Sequence, residues 1–227
     1  MKKSINLLKI QQLKHSHRYS LDSIILADHV KLKPNNRIMD LGCGCGIISM
    51  LLASQNPTIF VTGIDIQQSL TQLAIENVKN NKLDNQIAIR CQDLRTIKGN
   101  DFDKFDLIVC NPPFRKKNSG RKNNCYETLI AREEICCTID DILIVSKKLL
   151  IFEGELNLIY PGERMAEIIS KMNHYNIEPK ELIPIYTQNN QPAKWIIIKG
   201  RLGAKPGIIV HPPVFTDNSE CGQGNLS

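Results

Sequence analysis

Apolar segments that alternate between strand and helix along most of the chain predict an α/β fold, with a mostly parallel sheet covered by helices on both faces. Three observations carry that expectation. Short aliphatic or β-branched runs recur at 37–41, 58–66, 86–91, 105–110, 155–160, 181–187 and 194–200, giving seven strands. Stretches with helical spacing of apolar residues separate most of them. The last two strands are joined by a short connection containing Asn189, Asn190 and Pro192, so they are expected to pair antiparallel as a C-terminal hairpin.

Taken in order, residues 21–30 carry apolar side chains at 21, 24, 25, 26 and 30, a helical spacing with Ser20 or Asp22 available as N-cap. After the first strand, 47–53 reads as a buried helix, and 70–78 has apolar positions at 70, 73, 74, 75 and 78. Further helices are expected over 130–150 and 163–173. Right-handed crossovers place such helices over the sheet and leave a crevice at the carboxyl ends of the strands. The organisation predicted is one α/β domain at 35–202, preceded by a basic segment and packing helix at 1–34. A tail at 203–227 follows, polar and rich in Gly and Pro apart from Ile208-Ile209-Val210, and partly disordered beyond 216.

A chain of 227 residues can bury one sizeable core. No apolar run approaches the ~20 residues of a membrane span, and Asn6, Lys9, Gln11 and Gln12 interrupt any signal-peptide apolar segment. A cytoplasmic location, no membrane partner and no obligate protein partner are therefore expected. The eight cysteines read as free thiols, with Cys43, Cys45, Cys91 and Cys110 in or beside buried strands and Cys136 and Cys137 inside a helix. No zinc-type spacing is present, and no metal is expected. The net charge of +6 is uneven: residues 1–18 hold five Lys/Arg and no acid, and residues 115–122 hold five more. With those ten removed, 19 basic residues face 23 acidic ones, a net −4. Two basic patches on a mildly acidic body have the footprint of a polyanion-binding protein.

The first strand runs into Asp40-Leu41-Gly42-Cys43-Gly44-Cys45-Gly46. Glycines at 42, 44 and 46 allow a tight turn and a close backbone approach to a ligand at the N-terminus of the next helix. Ile47 stands where a dinucleotide fingerprint wants its third glycine, and no phosphate loop is present, so a nucleotide-like ligand without phosphate fits better. Asp65, with its neighbour Ile66, closes the second strand, where a carboxylate can accept from both hydroxyls of a ribose. Asp93 follows the third strand, where it can accept from an adenine amine. Three acids at the ends of consecutive strands line one crevice.

The fourth strand ends in Asn111-Pro112-Pro113-Phe114. The Asn111 amide oxygen and the Pro112 carbonyl offer two acceptors, the prolines stiffen the turn, and Phe114 offers an aromatic face. A planar exocyclic amine held there has both N–H groups engaged and its lone pair aimed, which lowers the barrier to alkylating a delocalised nitrogen. Stacking on Phe114 is worth ~1–3 kcal/mol for a base.

In these motifs the sequence resembles the S-adenosylmethionine-dependent class I methyltransferases, whose fold is Rossmann-like, over roughly residues 35–200. The resemblance implies S-adenosyl-L-methionine as cofactor. It would be held by Asp40, Gly42, Cys43, Gly44, Gly46, Asp65, Ile66, Asp93 and Asn111, with Asn111, Pro112 and Phe114 as the catalytic corner. Segment 19–28, the tetrapeptide at 111–114, Gly120-Arg121, Ala131-Arg132-Glu133 and His211-Pro212-Pro213 resemble the tRNA1(Val) (adenine-37-N6)-methyltransferase group. That likeness implies an RNA partner, most of all tRNA, with Arg115, Lys116, Lys117, Arg121 and Lys122 on its phosphates. His15, His17 and His29 read as surface or core-edge groups and Trp195 as core. Two alternatives remain: a ribosomal-RNA guanine-N2 or adenine-N6 methyltransferase, and a protein glutamine methyltransferase. The latter family usually carries a helical domain before the donor loop, and only 39 residues precede Asp40 here.

Overall fold

Alternation along each strand decides which helix layer it meets. In β1 (Arg37–Leu41), Ile38 points into one apolar layer while Met39 and Leu41 point into the other. The computed structural model describes residues 8–11, 21–112 and 137–216. Pro113, Phe114, Arg115, Lys116, Lys117, Arg121, Lys122, Arg132, His15 and His17 lie outside the described residues.

After helix α1 (Leu21–His29) come β1, α2 (Ile47–Gln55), β2 (Phe60–Asp65), α3 (Gln68–Asn80), β3 (Ile87–Cys91) and β4 (Phe105–Cys110). Then follow α4 (Ile139–Leu149), β5 (Leu150–Pro161), α5 (Met165–His174), β6 (Ile177–Tyr186) and β7 (Trp195–Leu202), with two short strands, β8 (Ile209–Val210) and β9 (Val214–Phe215). The sheet order is β3-β2-β1-β4-β5-β7-β6-β8, and β9 also pairs with β6. β1 to β5 are mutually parallel, whereas β7 runs antiparallel to both β5 and β6, the expected hairpin.

α1, α2 and α3 contribute to one apolar layer and α4 and α5 to the other. α4 starts with a reciprocal cap: Asp141 N–H donates to the Thr138 hydroxyl (3.3 Å) while Thr138 N–H donates to the Asp141 carboxylate (2.8 Å). This cap corrects the expected 130–150 helix, because Cys137 precedes it rather than sitting within a helix.

The tail supplies more order than its composition suggests. Ile209 and Val210 pair with Glu181 and Leu182, and Val214 and Phe215 with Ile185 and Tyr186, all parallel, so the sheet has nine strands among the described residues where seven were expected. They cover an edge of β6 that would otherwise expose its backbone donors and acceptors. Glu181 anchors the arrangement, bonded to Lys31 (2.9 Å) and His211 (2.9 Å) and lying 3.4 Å from the buried Lys199. Burial works to raise its pKa, but the Lys31 bond and the Lys199 charge outweigh it and hold Glu181 down to about 2.

The five described cysteines are free. Cys43, Cys45 and Cys110 are buried, but Cys91 is exposed because β3 is the outer strand, which corrects its expected burial. Trp195 is only partly buried, with Lys194 Nζ 4.2 Å from the centre of its ring. His29 bonds through Nδ1 to the Ile25 carbonyl, an end-of-helix role. None of the described helices is long and apolar enough to cross a membrane, and the described residues contain no cluster of metal-ligating side chains.

Candidate functional site

Sheet topology puts the glycine turn and the Asn-Pro turn side by side. From β1 the chain moves outward to β2 and β3, then returns to place β4 on the other side of β1. Such a reversal opens a crevice at the carboxyl ends of the strands. Leu41 is in register with Cys110, so Gly42 and Asn111 leave the sheet from neighbouring positions.

The glycine turn needs its glycines. Gly42, Gly44 and Gly46 have φ of 74°, 54° and 84°, a left-handed conformation that costs other L-residues roughly 1–2 kcal/mol. Space around Gly42 and Gly44 is open, with no atom within 4 Å of an added Cβ, while one at Gly46 would sit 3.3 Å from Ala74 Cβ. Gly46 packs the turn against α3, and its carbonyl accepts the first bond of α2 from Met50. The side chain of Cys43 turns back onto the sheet, where a Cβ on Gly63 would meet its Cβ and Sγ at 3.1 Å. Burial, then the charges of Asp40 and Asp65, push the Cys43 thiol well above its usual range, so it is no nucleophile.

Asp40 lies on the floor of this turn with no exposed surface. Its Oδ2 accepts from the Ser49 hydroxyl (2.6 Å) and the Ser49 N–H (3.1 Å), whereas Oδ1 is shielded and has no partner among the described residues. Burial pushes its pKa up to about 6 against the opposing Ser49 bonds, and Asp65 adds to the rise. A buried carboxylate with one unused oxygen is costly unless a cation or donor arrives. Asp65 accepts from Gly44 N–H (3.0 Å) and Gln67 N–H (2.9 Å), one bond per oxygen, so each oxygen keeps acceptor capacity. Ile66 beside it is 40% exposed, an apolar face at the crevice rim.

Asp93 is differently engaged. It accepts from Arg95 N–H, Nε and Nη2, the last at 2.6 Å, and this pairing holds its carboxyl below the usual range. Its oxygens are thus committed to Arg95, and contact with an adenine amine requires that pair to rearrange.

Asn111 leaves β4 with its amide nitrogen tied down and its oxygen unused. Nδ2 donates to the Ser23 hydroxyl at 2.8 Å, while Oδ1 is shielded and has no partner among the described residues. Pro112, next in the chain, is buried.

Sequence reasoning missed an amide ladder on α3. The Asn77 side chain exchanges two bonds with the backbone of Gln11 (2.8 and 3.1 Å), and Asn81 does the same with Lys9 (2.8 Å each). Asn77 Nδ2 also donates to the Cys45 carbonyl (3.1 Å), which links the N-terminal segment to the glycine turn. Its one available signal is the Asn pair at four-residue spacing, which lies on one helix face.

Strand order and crevice are those of the Rossmann-like class I methyltransferase fold. A solved structure described as a predicted O-methyltransferase from Agrobacterium tumefaciens superposes with a TM-score of 0.69 at 19% identity, covering 91% of this chain and 92% of that one. One from Listeria monocytogenes, described as a putative class I S-adenosylmethionine-dependent methyltransferase, gives 0.61 at 14% identity, covering 87% and 68%. At these identities the shared property is the fold. The methyltransferase small domain family matches residues 17–173, and the chain belongs to it. Among its relatives, a tRNA1(Val) (adenine(37)-N6)-methyltransferase from Parabacteroides distasonis is 29% identical over 188 residues, covering 82% of this chain and 76% of that protein. The protein of the same name from Actinobacillus pleuropneumoniae is 25% identical over 182 residues, covering 80% and 75%.

Proposed function

We propose that the protein methylates an exocyclic amine of RNA, N6 of adenine 37 in a tRNA anticodon loop, using S-adenosyl-L-methionine. The observation that carries this reading is the Asn111 Oδ1: a shielded acceptor, free among the described residues, beside the glycine turn. The activity named for the relatives agrees with it.

The cofactor fits the crevice as built. Open space at Gly42 and Gly44 admits it to the backbone, the unused Asp40 oxygen suits its ammonium group, and the remaining acceptor capacity of Asp65 suits ribose hydroxyls. Bound there, the sulfonium supplies an electrophilic methyl group. On the acceptor side, Asn111 Oδ1 and the Pro112 carbonyl take the two N–H bonds of the amine. They hold its nitrogen in line and stabilise the positive charge that grows on it. The nitrogen then sheds a proton to water, because an alkylated cation of this kind is acidic, and no general base is needed. Phe114 stacks on the base, and Arg115, Lys116, Lys117, Arg121 and Lys122 bind phosphates. An adenine in an unpaired loop is cheap to extrude, which favours an anticodon loop over duplex RNA.

Replacing Asn111 by Ala tests the assignment: turnover should fall by about 10²-fold or more while donor affinity measured by calorimetry stays within about twofold. Wild-type turnover in that variant would remove Asn111 from the chemistry.

A further inference from the structure

We propose that Trp195 and Lys194, at the amino end of β7, dock the RNA strand beside the target base: the indole stacks on a flanking nucleobase and the ammonium pairs with a phosphate. This inference rests on RNA as the substrate, and it adds a second contact to the one at Asn111.

Strand direction brings the pair to the crevice. β4 and β5 are parallel and β7 runs against β5, so the amino end of β7 lies at the carboxyl edge where Asn111 leaves the sheet. Cys110 is in register with Leu158 and Trp195 with Pro161, which puts Trp195 roughly 12 Å from Asn111 at ordinary strand spacing and rise. An unpaired loop can bridge that gap while its target base sits at Asn111. Trp195 is half-buried against the apolar layer that contains Ile183, Ile185 and Ile197. Lys194 Nζ lies over the ring, 4.2 Å from its centre, so one face of the indole is turned from the core and covered only by a long exposed side chain. That cover is replaceable, because a cation over an exposed ring is held more weakly than a stacked base. Lys194 forms no ion pair among the described residues, so its ammonium can move to a phosphate as the base takes its place. The backbone beneath is fixed: Lys194 N–H donates to the Ile185 carbonyl (2.9 Å), and the Lys194 carbonyl accepts from Gly162 N–H (3.1 Å). Gly162 packs so closely there that an added Cβ would collide with the Ala193 carbonyl. A surface fixed before binding loses little freedom when a base stacks on it. Charge favours a polyanion, since Lys194 is the only charged residue between 182 and 198, and the five Lys/Arg of 115–122 follow the Asn111 turn in sequence.

The test uses the full-length protein and a synthetic anticodon stem-loop RNA with unmodified adenine at position 37. Trp195 is the only tryptophan in the chain, so tryptophan emission reports on this position alone. Titration with the RNA should quench that emission with the midpoint that filter binding gives, and emission unmoved by bound RNA overturns the docking role. Trp195→Leu keeps an apolar side chain without a stacking face. It should weaken RNA binding at least about tenfold, through KM, with kcat within about threefold and donor affinity by calorimetry within about twofold. Trp195→Phe keeps an aromatic ring and should hold RNA affinity within about threefold of wild type. Equal weakening in both variants would mark lost packing rather than lost stacking, and wild-type affinity in Trp195→Leu would remove the base contact; either result overturns the proposal. Lys194→Ala leaves the core untouched, and should weaken binding about two- to fivefold and lower the slope of log Kd against log salt by about one. An unchanged slope overturns the phosphate contact. A wild-type protein that binds this RNA but labels no amine in it would instead defeat the functional reading, and the emission titration would still decide the docking role.

Discussion

Replacing Asp40 by Asn separates what the proposed donor site costs the fold from what it contributes to binding. The carboxylate has no exposed surface, and its pKa rises from 3.8 to about 6. About two pKa units at 1.36 kcal/mol each make roughly 3 kcal/mol of destabilisation at neutral pH. The sign follows from proton binding: between 3.8 and 6 the folded protein holds a proton that the unfolded chain has released. The contribution is thus fully present below 3.8 and is lost as pH rises through about 6. Asparagine carries no such dependence. The amide has its own penalty, because its NH2 must find an acceptor, but that penalty is constant with pH and cancels when two pH values are compared. Urea unfolding at pH 4.5 and pH 7.5, without donor, should show the Asp40→Asn variant gaining about 2 kcal/mol on wild type between the two. Donor affinity in the variant should fall at pH 7.5, where wild-type Asp40 is charged. A stability difference that stays constant with pH would refute the premise that burial perturbs Asp40.

Three further substitutions probe the elements around the site. Gly46→Ala forces a side chain into a left-handed conformation 3.3 Å from Ala74 Cβ, and should cost about 1–3 kcal/mol in urea unfolding and weaken donor binding in calorimetry. Glu181→Gln leaves Lys199 buried without its counter-charge, and should cost about 3 kcal/mol at pH 7 and speed hydrogen exchange in β8 and β9. Because the Glu181 pKa is depressed, its contribution is present above the ordinary value of 4.5 and lost as pH falls toward 2, so the wild-type advantage over the Glu181→Gln variant should shrink in acid. Asn77→Ala removes both the pairing with Gln11 and the bond to Cys45, and should cost about 1–3 kcal/mol and expose residues 8–11 to limited proteolysis.

What could be read in the sequence was what local chemistry dictates. β1 and β4 have the bounds expected from their apolar runs, and the positions of Gly42 and Asn111 follow from where those strands end. Positive φ at three glycines is likewise a local demand. Contacts between distant segments had no such signal. Ser23 meets Asn111 across 88 positions, and Asn77 meets Gln11 across 66. Two-residue strands such as β8 and β9 are too short to show a period, so pairing along the β6 edge decided them. Asp93 sits at its expected strand end, but Arg95 two residues on takes up its carboxylate, a local pairing that strand position alone does not show. Cys91 looked buried because its strand is apolar, and its exposure depends on β3 being the outer strand.

The most direct test of the central claim is to incubate the protein with labelled S-adenosylmethionine and total RNA from a strain lacking it, digest the RNA, and identify the modified nucleoside and its position. The expected product is N6-methyladenosine in a tRNA anticodon loop, absent when Asn111 is replaced by Ala. Label on a protein glutamine, on a carbon or oxygen atom, or on no RNA at all would contradict it.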